Sequence, residues 1–346
     1  MAQLALQLVT WNAEKYLPTF FLSLQNQFFK DWELFIWDNA STDSTIRIIN
    51  EKIKDFSQKI EVHVSEENKG FAFGHNQLLV KSEAPLVCLL SSDMYMADDC
   101  LQKLVFFMNQ NSDFSAVAPR LMRWNFDFLK NNTLDKENIK KSFTTKVDSL
   151  GLKVLRNRRV IDLCQGEEFD SEKYSTEFLE VFGVSGAMPM YRRSALLNLD
   201  EFFDPLFESY KEDVDLAFRL RWKKNKSAIV LGAVAYHDRQ VSGDTTRGDV
   251  AASFNKMKQN SRVKYFSYRN HLFILYKNED WRNFALDWPF IVFYELKKFA
   301  YFLLFDRVVL RAWIEFWKRR KMLKSKRITI KKSRKNTAKE MRGWWK

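Results

Sequence analysis

Apolar and polar positions alternate in blocks along the first 120 residues. Leu4–Trp11 (LALQLVTW) is an apolar run of strand length, closed by Asn12 at a turn. Over Tyr16–Phe29 the apolar residues recur at helical spacing, with Pro18 in the first turn, where its missing N–H is tolerated. Trp32–Asp38 reads as a strand ending in a polar cluster. Ser44–Phe56 reads as a helix with Ser41, Asp43 or Ser44 as its N-cap. Ile60–Val64 is strand-like, 65–74 is a polar loop containing glycine, and His75–Lys81 is helical. Ala84–Leu90 (APLVCLL) has the unbroken apolar character of a buried strand. Ser91-Ser92-Asp93 follows it directly, and Asp98–Met108 is again helical. This β-α-β-α-β-α-β order predicts an α/β fold, Rossmann-like, with a mostly parallel sheet flanked by helices. Ligands of such sheets bind at the carboxyl ends of the strands. The polar clusters Thr10–Asn12, Asp38–Asp43, Asn68–Asn76 and Ser91–Asp93 fall at those ends, so a nucleotide-sized crevice is expected there.

A second patterned block spans 183–242. Gly183–Met190 is small and apolar, suited to a chain lying close against a ligand or sheet. Ser194–Asn198 is a short helix, and Phe202–Phe207 an aromatic loop. Glu212-Asp213-Val214-Asp215 opens a helix that continues through LAFRLRWKK, and SAIVLGAVAY is a strand that delivers His237. Acidic residues in a first turn stabilise the positive helix end by about 0.3–1 kcal/mol without any chemistry. A histidine at a strand end is likewise most often structural. The stretch from Arg123 to Phe182 is less regular. Its Arg158 and Arg159 suit either a phosphate contact or a solvated basic turn.

Two nucleotide-binding modes are excluded. The turn after the first strand, TWNAEKYL, contains no glycine, so the dinucleotide GxGxxG fingerprint is missing, and GxxxxGK[ST] does not occur. Without a glycine nest, a diphosphate needs a divalent cation held by carboxylates, and Asp93 stands directly after an apolar strand where one is required. An ordinary turn aspartate fits that position too.

Composition adds the distribution of charge. The net charge is +13 over 346 residues. From Lys256 to Lys346 there are 25 Lys and Arg against 7 Asp and Glu, a net of +18, so residues 1–255 carry a net of −5. Six of the 11 tryptophans lie in the same last quarter. Basic residues interleaved with Trp, Phe and Leu suit an anionic membrane surface, while PFIVFY and FAYFLLF are far short of the roughly 20 apolar residues of a spanning helix. Nucleic acid is not the expected partner, since no nucleic-acid module accompanies the charge. The three cysteines, Cys88, Cys100 and Cys164, make no disulfide framework or metal-ligand spacing and favour a reducing compartment. MAQLALQLVTWN lacks the features of a secretion signal. The expected organisation is a catalytic domain over 1–255, amphipathic membrane-associating helices over 256–317 and a basic flexible tail over 318–346.

In order along the chain, VTWNAEKYLPTFFLSLQNQ, WDNASTDST, NKGFAFGHNQ, LLSSDMYM, VDSLGLKVLRNRR, SGAMPMYRRSAL, EDVDLAFRLR and HDRQVSG resemble the motifs of family 2 inverting glycosyltransferases of GT-A fold, and among them bacterial rhamnosyltransferase-like enzymes. The resemblance runs from Leu4 to Gly243. It implies that Thr10, Asn12, Asp38, Asn68, Gly70, Gly74, Asn76 and Ser92 bind the nucleotide, with Asp38 accepting from the imide N–H of uracil or thymine. It further implies that Asp93 and His237 are ligands of Mg2+ or Mn2+, and that Asp213 is the general base. Ser91 stands where the family's DxD segment has its first acid. The implied activity is transfer of a sugar from a UDP- or dTDP-linked donor, dTDP-rhamnose among them, to a lipid-linked or polysaccharide acceptor. The implied location is the inner face of the cell membrane, as a peripheral cytoplasmic enzyme. A polyprenyl-phosphate sugar transferase and a non-catalytic nucleotide-sugar or glycan-binding protein are the alternatives. A processive synthase would carry QxxRW after the acidic block, and RLRWKKNK has only Arg221-Trp222 of it.

Overall fold

The computed structural model describes residues 1–239 and 260–345. The strands are β1 (Leu4–Thr10), β2 (Trp32–Asp38), β3 (Ile60–Val64), β4 (Leu86–Leu90), β5 (Met94–Met96), β6 (Phe114–Trp124), β7 (Phe143–Ser149), β8 (Leu152–Val154), β9 (Val160–Asp162), β10 (Phe178–Val181), β11 (Met190–Arg192) and β12 (Lys226–His237). The helices are α1 (Leu17–Gln25), α2 (Thr45–Lys52), α3 (Phe71–Leu79), α4 (Cys100–Gln110), α5 (Asp127–Lys130), α6 (Lys136–Ser142), α7 (Arg193–Leu197), α8 (Glu212–Trp222), α9 (Ser261–Asn278), α10 (Trp281–Phe305), α11 (Arg311–Ser333) and α12 (Ala338–Arg342).

The main sheet has the order β10-β12-β6-β11-β4-β1-β2-β3. Around β1 it is parallel, as the alternating pattern requires: β1 pairs with β2 and β4, and β2 with β3. Beyond β4 it is mixed. The three-residue β11 inserts antiparallel between β4 and β6, and β12 runs parallel to β6. Helices cover both faces. One core packs Phe20, Phe21, Leu101 and Leu104 against Leu6, Leu8 and Cys88; the other packs Leu196, Leu216 and Leu220 against Val87 and Ile229. These fully buried strands explain the continuous apolar runs of the sequence.

Helix α3 starts at Phe71, four residues before the expected start. Gly70 takes a left-handed φ of 86° at its N-cap, and the N–H of Ala72 then reaches the carbonyl of Glu208 at 3.1 Å. A side chain at Gly70 would stand 2.6 Å from that carbonyl, so the turn needs glycine.

The carboxyl-terminal region departs most from expectation. Residues 318–346, expected as a flexible tail, continue α11 and then form α12, up to the described end at 345. Leu323, Ile330 and Met341 are buried in one cluster with Phe182, Phe218 and Trp222. The apolar residues are few, but they face the core, and the basic ones find carboxylates: Lys326 with Glu201 at 2.6 Å, and Arg334 with Asp280 at 2.7 Å. Helix α9 is likewise part of the body and packs against α8 through Phe273 and Ile274. Helix α10 keeps a long exposed apolar face. The boundary expected at 255 lies outside the described residues. Among those described, no helix is long and apolar enough to cross a membrane.

Candidate active site

The tips of β1 and β2 are tied together by Asp38, which is fully buried. Thr10 lies opposite it in the parallel register and donates its hydroxyl to Oδ1 at 3.0 Å; the N–H of Ser41 donates to Oδ2 at 2.8 Å. Asn12, exposed at the tip of β1, accepts from the N–H of Thr42 at 2.8 Å. Asn39 fastens the next loop, accepting from Lys69 and donating to the carbonyl of Gly70. Asn68 accepts from the N–H of Gly70 at 3.0 Å. Thr10, Asn12, Asp38, Asn68 and Gly70 therefore line one end of the sheet.

Two expected nucleotide residues have other work. Both ends of the Asn76 amide are engaged with the backbone of Phe203, at 2.8 and 2.9 Å, which makes it a clamp between α3 and the aromatic loop. A Cβ at Gly74 would lie 2.8 Å from Val9, so this glycine serves helix-to-sheet packing. Ser92 sits partly buried in the turn between β4 and β5.

That turn carries the next group. Strand β5 pairs with the end of β12, placing His237 opposite Met94, and the N–H of Asp238 bonds the carbonyl of Asp93 at 3.0 Å. His237 Nε2 then lies 3.4 Å from Asp93 Oδ2, while its Nδ1 meets the buried Asp148 at 2.9 Å. Arg239 closes the far side, 3.0 Å from Asp148 and 2.7 Å from Asp162. Burial works against charge on His237, but Asp93 and Asp148 outweigh it and push its pKa up to about 10.

This donor set suits a divalent cation. A carboxylate oxygen and an imidazole nitrogen converge, and the second ring nitrogen is fixed by a buried carboxylate, the usual support of a metal-bound histidine. The positive charge that the two carboxylates hold on the ring is what a cation would supply in the proton's place. Among the described residues no group of three or more such ligands forms, so Asp93 and His237 would leave most of a coordination shell to other ligands.

Asp213, in the first turn of α8, is half-buried. Its Oδ2 accepts from the N–H of Gly186 at 2.9 Å and its Oδ1 from that of Val214 at 2.7 Å. Burial pushes its pKa up despite these donors, with the charge of Asp162 adding to the rise. Burial and the neighbouring Asp213 also push Glu212 up to about 8. Asp162 and Arg239 both act on Asp213 and on the Asp148 group, so the two clusters share one electrostatic neighbourhood.

Asp148, Asp162 and Arg239 have no assigned role in the sequence reading, although Asp148 and Arg239 lie inside quoted motifs. Asp148 is 89 residues from the ring it orients. Gln240–Gly243 of the HDRQVSG motif lie outside the described residues. Arg158 is structural, buried against Glu279 and Asp287, whereas Arg159 lines a cavity beside Lys211.

Comparison with known proteins agrees with this architecture. A protein of Haemophilus influenzae named an uncharacterized glycosyltransferase is 35% identical over 111 residues, 32% of this chain and 44% of that protein. A Bacillus subtilis protein named for teichuronic acid biosynthesis is 33% identical over 114 residues, 33% and 45% of the two chains. The matched segments thus span less than half the length of these relatives. A structure of GalNAc-T7 with UDP, GalNAc and Mn2+ superposes with a TM-score of 0.60 at 13% identity, covering 80% of this chain and 48% of that one. Residues 1–349 of S. aureus TarS in complex with UDP give 0.50 at 15% identity, covering 95% and 90%. At such identities the likeness is one of fold. The model of glycosyl transferase family 2 matches residues 7–199, more than half the chain, and the protein belongs to that family.

Proposed function

We propose that the protein moves a sugar from a UDP- or dTDP-linked donor to a lipid-linked or polysaccharide acceptor in cell-surface glycan assembly, by a metal-dependent inverting displacement. The observation that supports the reading is the chain of contacts Asp93–His237–Asp148–Arg239–Asp162, whose last two members also act on Asp213. Thr10, Asn12, Asp38, Asn68 and Gly70 would bind the nucleoside, with Asp38 held in place for the base by Thr10 and Ser41.

Asp93 and His237 would hold Mg2+ or Mn2+, and Asp148 fixes the imidazole. Bound there, the ion would neutralise the donor diphosphate as a Lewis acid. Asp213, its lone pairs aimed by Gly186 and Val214, takes the proton of an acceptor hydroxyl. The acceptor oxygen forms its bond to the anomeric carbon while the bond from that carbon to the diphosphate oxygen breaks. The electron pair leaves with the nucleoside diphosphate, and a single displacement inverts the centre. Burial and the neighbouring Asp213 push the Glu212 carboxyl up to about 8, which favours leaving the negative charge of the pair on Asp213.

The exposed apolar face of α10, with Trp281, Trp288 and Phe293 on it, beside the basic α11, supports docking as a peripheral protein on the anionic inner face of the membrane. The names of relatives in teichuronic and teichoic acid synthesis support a cell-wall acceptor. The test is a screen of nucleoside-diphosphate sugars with Mn2+ or Mg2+, reading released nucleoside diphosphate. Release from a UDP- or dTDP-sugar that depends on the metal and on Asp213 is expected. Failure of every donor, with no nucleotide bound, would overturn the reading.

A further inference from the structure

Helices α9 and α10 border two cavities of opposite character. One is an apolar groove of about 750 Å3 whose walls include Leu272, Ile291, Leu296, Phe299 and Phe316. The other, about 170 Å3, gathers Arg159, Lys211, Lys264 and Lys298 around Tyr268 and Tyr294. Four cations around so small a space repel one another in proportion to the charge their partners leave uncompensated, and Arg159 and Lys298 are both engaged within the chain. The carboxylates in contact offset part of this: Lys264 pairs with Asp306 at 3.0 Å, and Lys298 lies 3.5 Å from Glu295, which also serves His271 at 2.7 Å. The carbonyl of Lys211 accepts from the N–H of Asp215 at 3.0 Å, while its side chain makes no ion pair or hydrogen bond among the described residues. Burial and the charge of Arg159 pull its pKa below the usual lysine range, against the nearby Asp213 and Asp162.

The position of Lys211 is built. It has a left-handed φ of 67°, and Glu208 and Tyr210 just before it have positive φ as well. Such conformations cost a side-chain-bearing residue and persist only when held from outside. The holder is Asn270 of α9, whose amide donates to the carbonyls of Phe207, Ser209 and Tyr210 at 2.9, 2.9 and 2.7 Å. The strained run thus sets Lys211 at the head of α8, two residues before Asp213.

We propose that this cavity is a subsite for a phosphate group of the acceptor, so that the enzyme selects phosphate-bearing acceptors. The inference rests on the reading of Asp213 as the base. The donor diphosphate is assigned to Asp93 and His237, and a phosphate at Lys211 and Arg159 would fix a neighbouring hydroxyl of the same acceptor beside Asp213. Lysine and arginine around a small cavity is the chemistry of a phosphate ester.

The experiment uses the full chain with Mn2+ and saturating UDP, and titrates a short soluble poly(glycerol phosphate) oligomer by calorimetry. The oligomer is expected to bind alongside UDP, and its affinity to fall at least tenfold in Lys211→Gln and in Arg159→Gln. Lys298→Gln, at a partly buried position of α10 over the Tyr268 and Tyr294 rings, gives the same reading should either of these fail to melt cooperatively. Unchanged affinity in the folded variants, or displacement of the oligomer by UDP, would overturn the subsite. Vesicles of phosphatidylglycerol form the second arm. If the variants weaken vesicle binding alone, the cavity takes a lipid headgroup and the acceptor assignment is wrong. UDP binding with oligomer affinity unchanged in the variants defeats only this inference. No nucleotide binding in the unaltered protein defeats the transferase reading, and the oligomer titration is then read without UDP.

Discussion

Helices α9 and α10 are neighbours in sequence and opposites in use. Helix α9, SRVKYFSYRNHLFILYKN, is rich in polar residues, yet Arg269, Asn270, His271, Lys277 and Asn278 are buried. Helix α10 is far more apolar, yet Trp281, Leu286, Phe293, Leu296 and Leu304 are exposed. The buried polar helix is a clamp. Lys277 meets Asp204 and, at 3.0 Å, Asp215; Asn278 donates to Asp215 at 2.9 Å; and Asn270 holds the loop that leads to Asp213. The apolar face that α10 exposes has no partner among the described residues. Polarity along the sequence thus reports what a helix must meet, and burial follows only when the protein itself provides it.

The largest expected effect is on the clamp. Lys277→Met removes the cation shared by the buried Asp204 and Asp215, leaving Lys326 to the first and Arg219 to the second, and unfolding free energy should fall by up to about 3–5 kcal/mol in a denaturant titration. A loss within about 0.5 kcal/mol would show that α9 is not held by charge. Next is Phe293→Ser with Leu304→Ser on α10. Full burial of each side chain is worth about 1.5–3 kcal/mol, so affinity for anionic vesicles should drop tenfold or more while stability moves by only about 0.5 kcal/mol. Unaltered vesicle binding would sever α10 from the membrane. Third, Asn270→Ala takes one donor from three carbonyls, of which that of Phe207 keeps Arg269. It should cost about 1–3 kcal/mol in stability and lower kcat, because the approach to Asp213 loosens.

The smallest effect is linked to pH. Burial opposes the charge of Asp204 and Asp215, but Lys277 overcomes it and holds both below the usual carboxylate range, with Arg219 assisting at Asp215. Their folded pKa values are depressed, so their contribution is complete above the unfolded value of about 4 and is lost as pH falls through the folded ones. Melting temperature should therefore decline on acidification below about pH 4, and less steeply in Lys277→Met. Parallel slopes in the two proteins would contradict the clamp.

The amino-terminal half was legible because β1, β2 and β4 are largely buried apolar runs with polar ends, and β3, partly exposed at the sheet edge, is short and β-branched. The parallel pairing of β1 to β4 follows from alternation with helices, while their order is a product of the fold. Strand β11 escaped notice because three residues have no period. The expected tail was misread because local charge density says nothing of carboxylates such as Glu201, Asp280 and Asp287, which receive Lys326, Arg334 and Arg342 from far along the chain. At the candidate site, Asp93, His237 and Asp213 were named through motif resemblance. Asp148, Asp162 and Arg239 were not, because their pairing is a product of the folded sheet. Asn76 resembled a ligand contact, but its amide fits the backbone of Phe203.

The central claim is that metal-assisted donor binding and proton abstraction are divided between Asp93 with His237 on one side and Asp213 on the other. Titration of the released nucleoside diphosphate into Asp93→Ala and Asp213→Asn, with and without Mn2+, tests that division directly. The account predicts that Asp93→Ala loses the Mn2+-dependent part of the affinity, while Asp213→Asn binds normally and transfers at least about a hundredfold more slowly. Nucleotide affinity indifferent to Mn2+ and to Asp93, or undiminished transfer by Asp213→Asn, would contradict it.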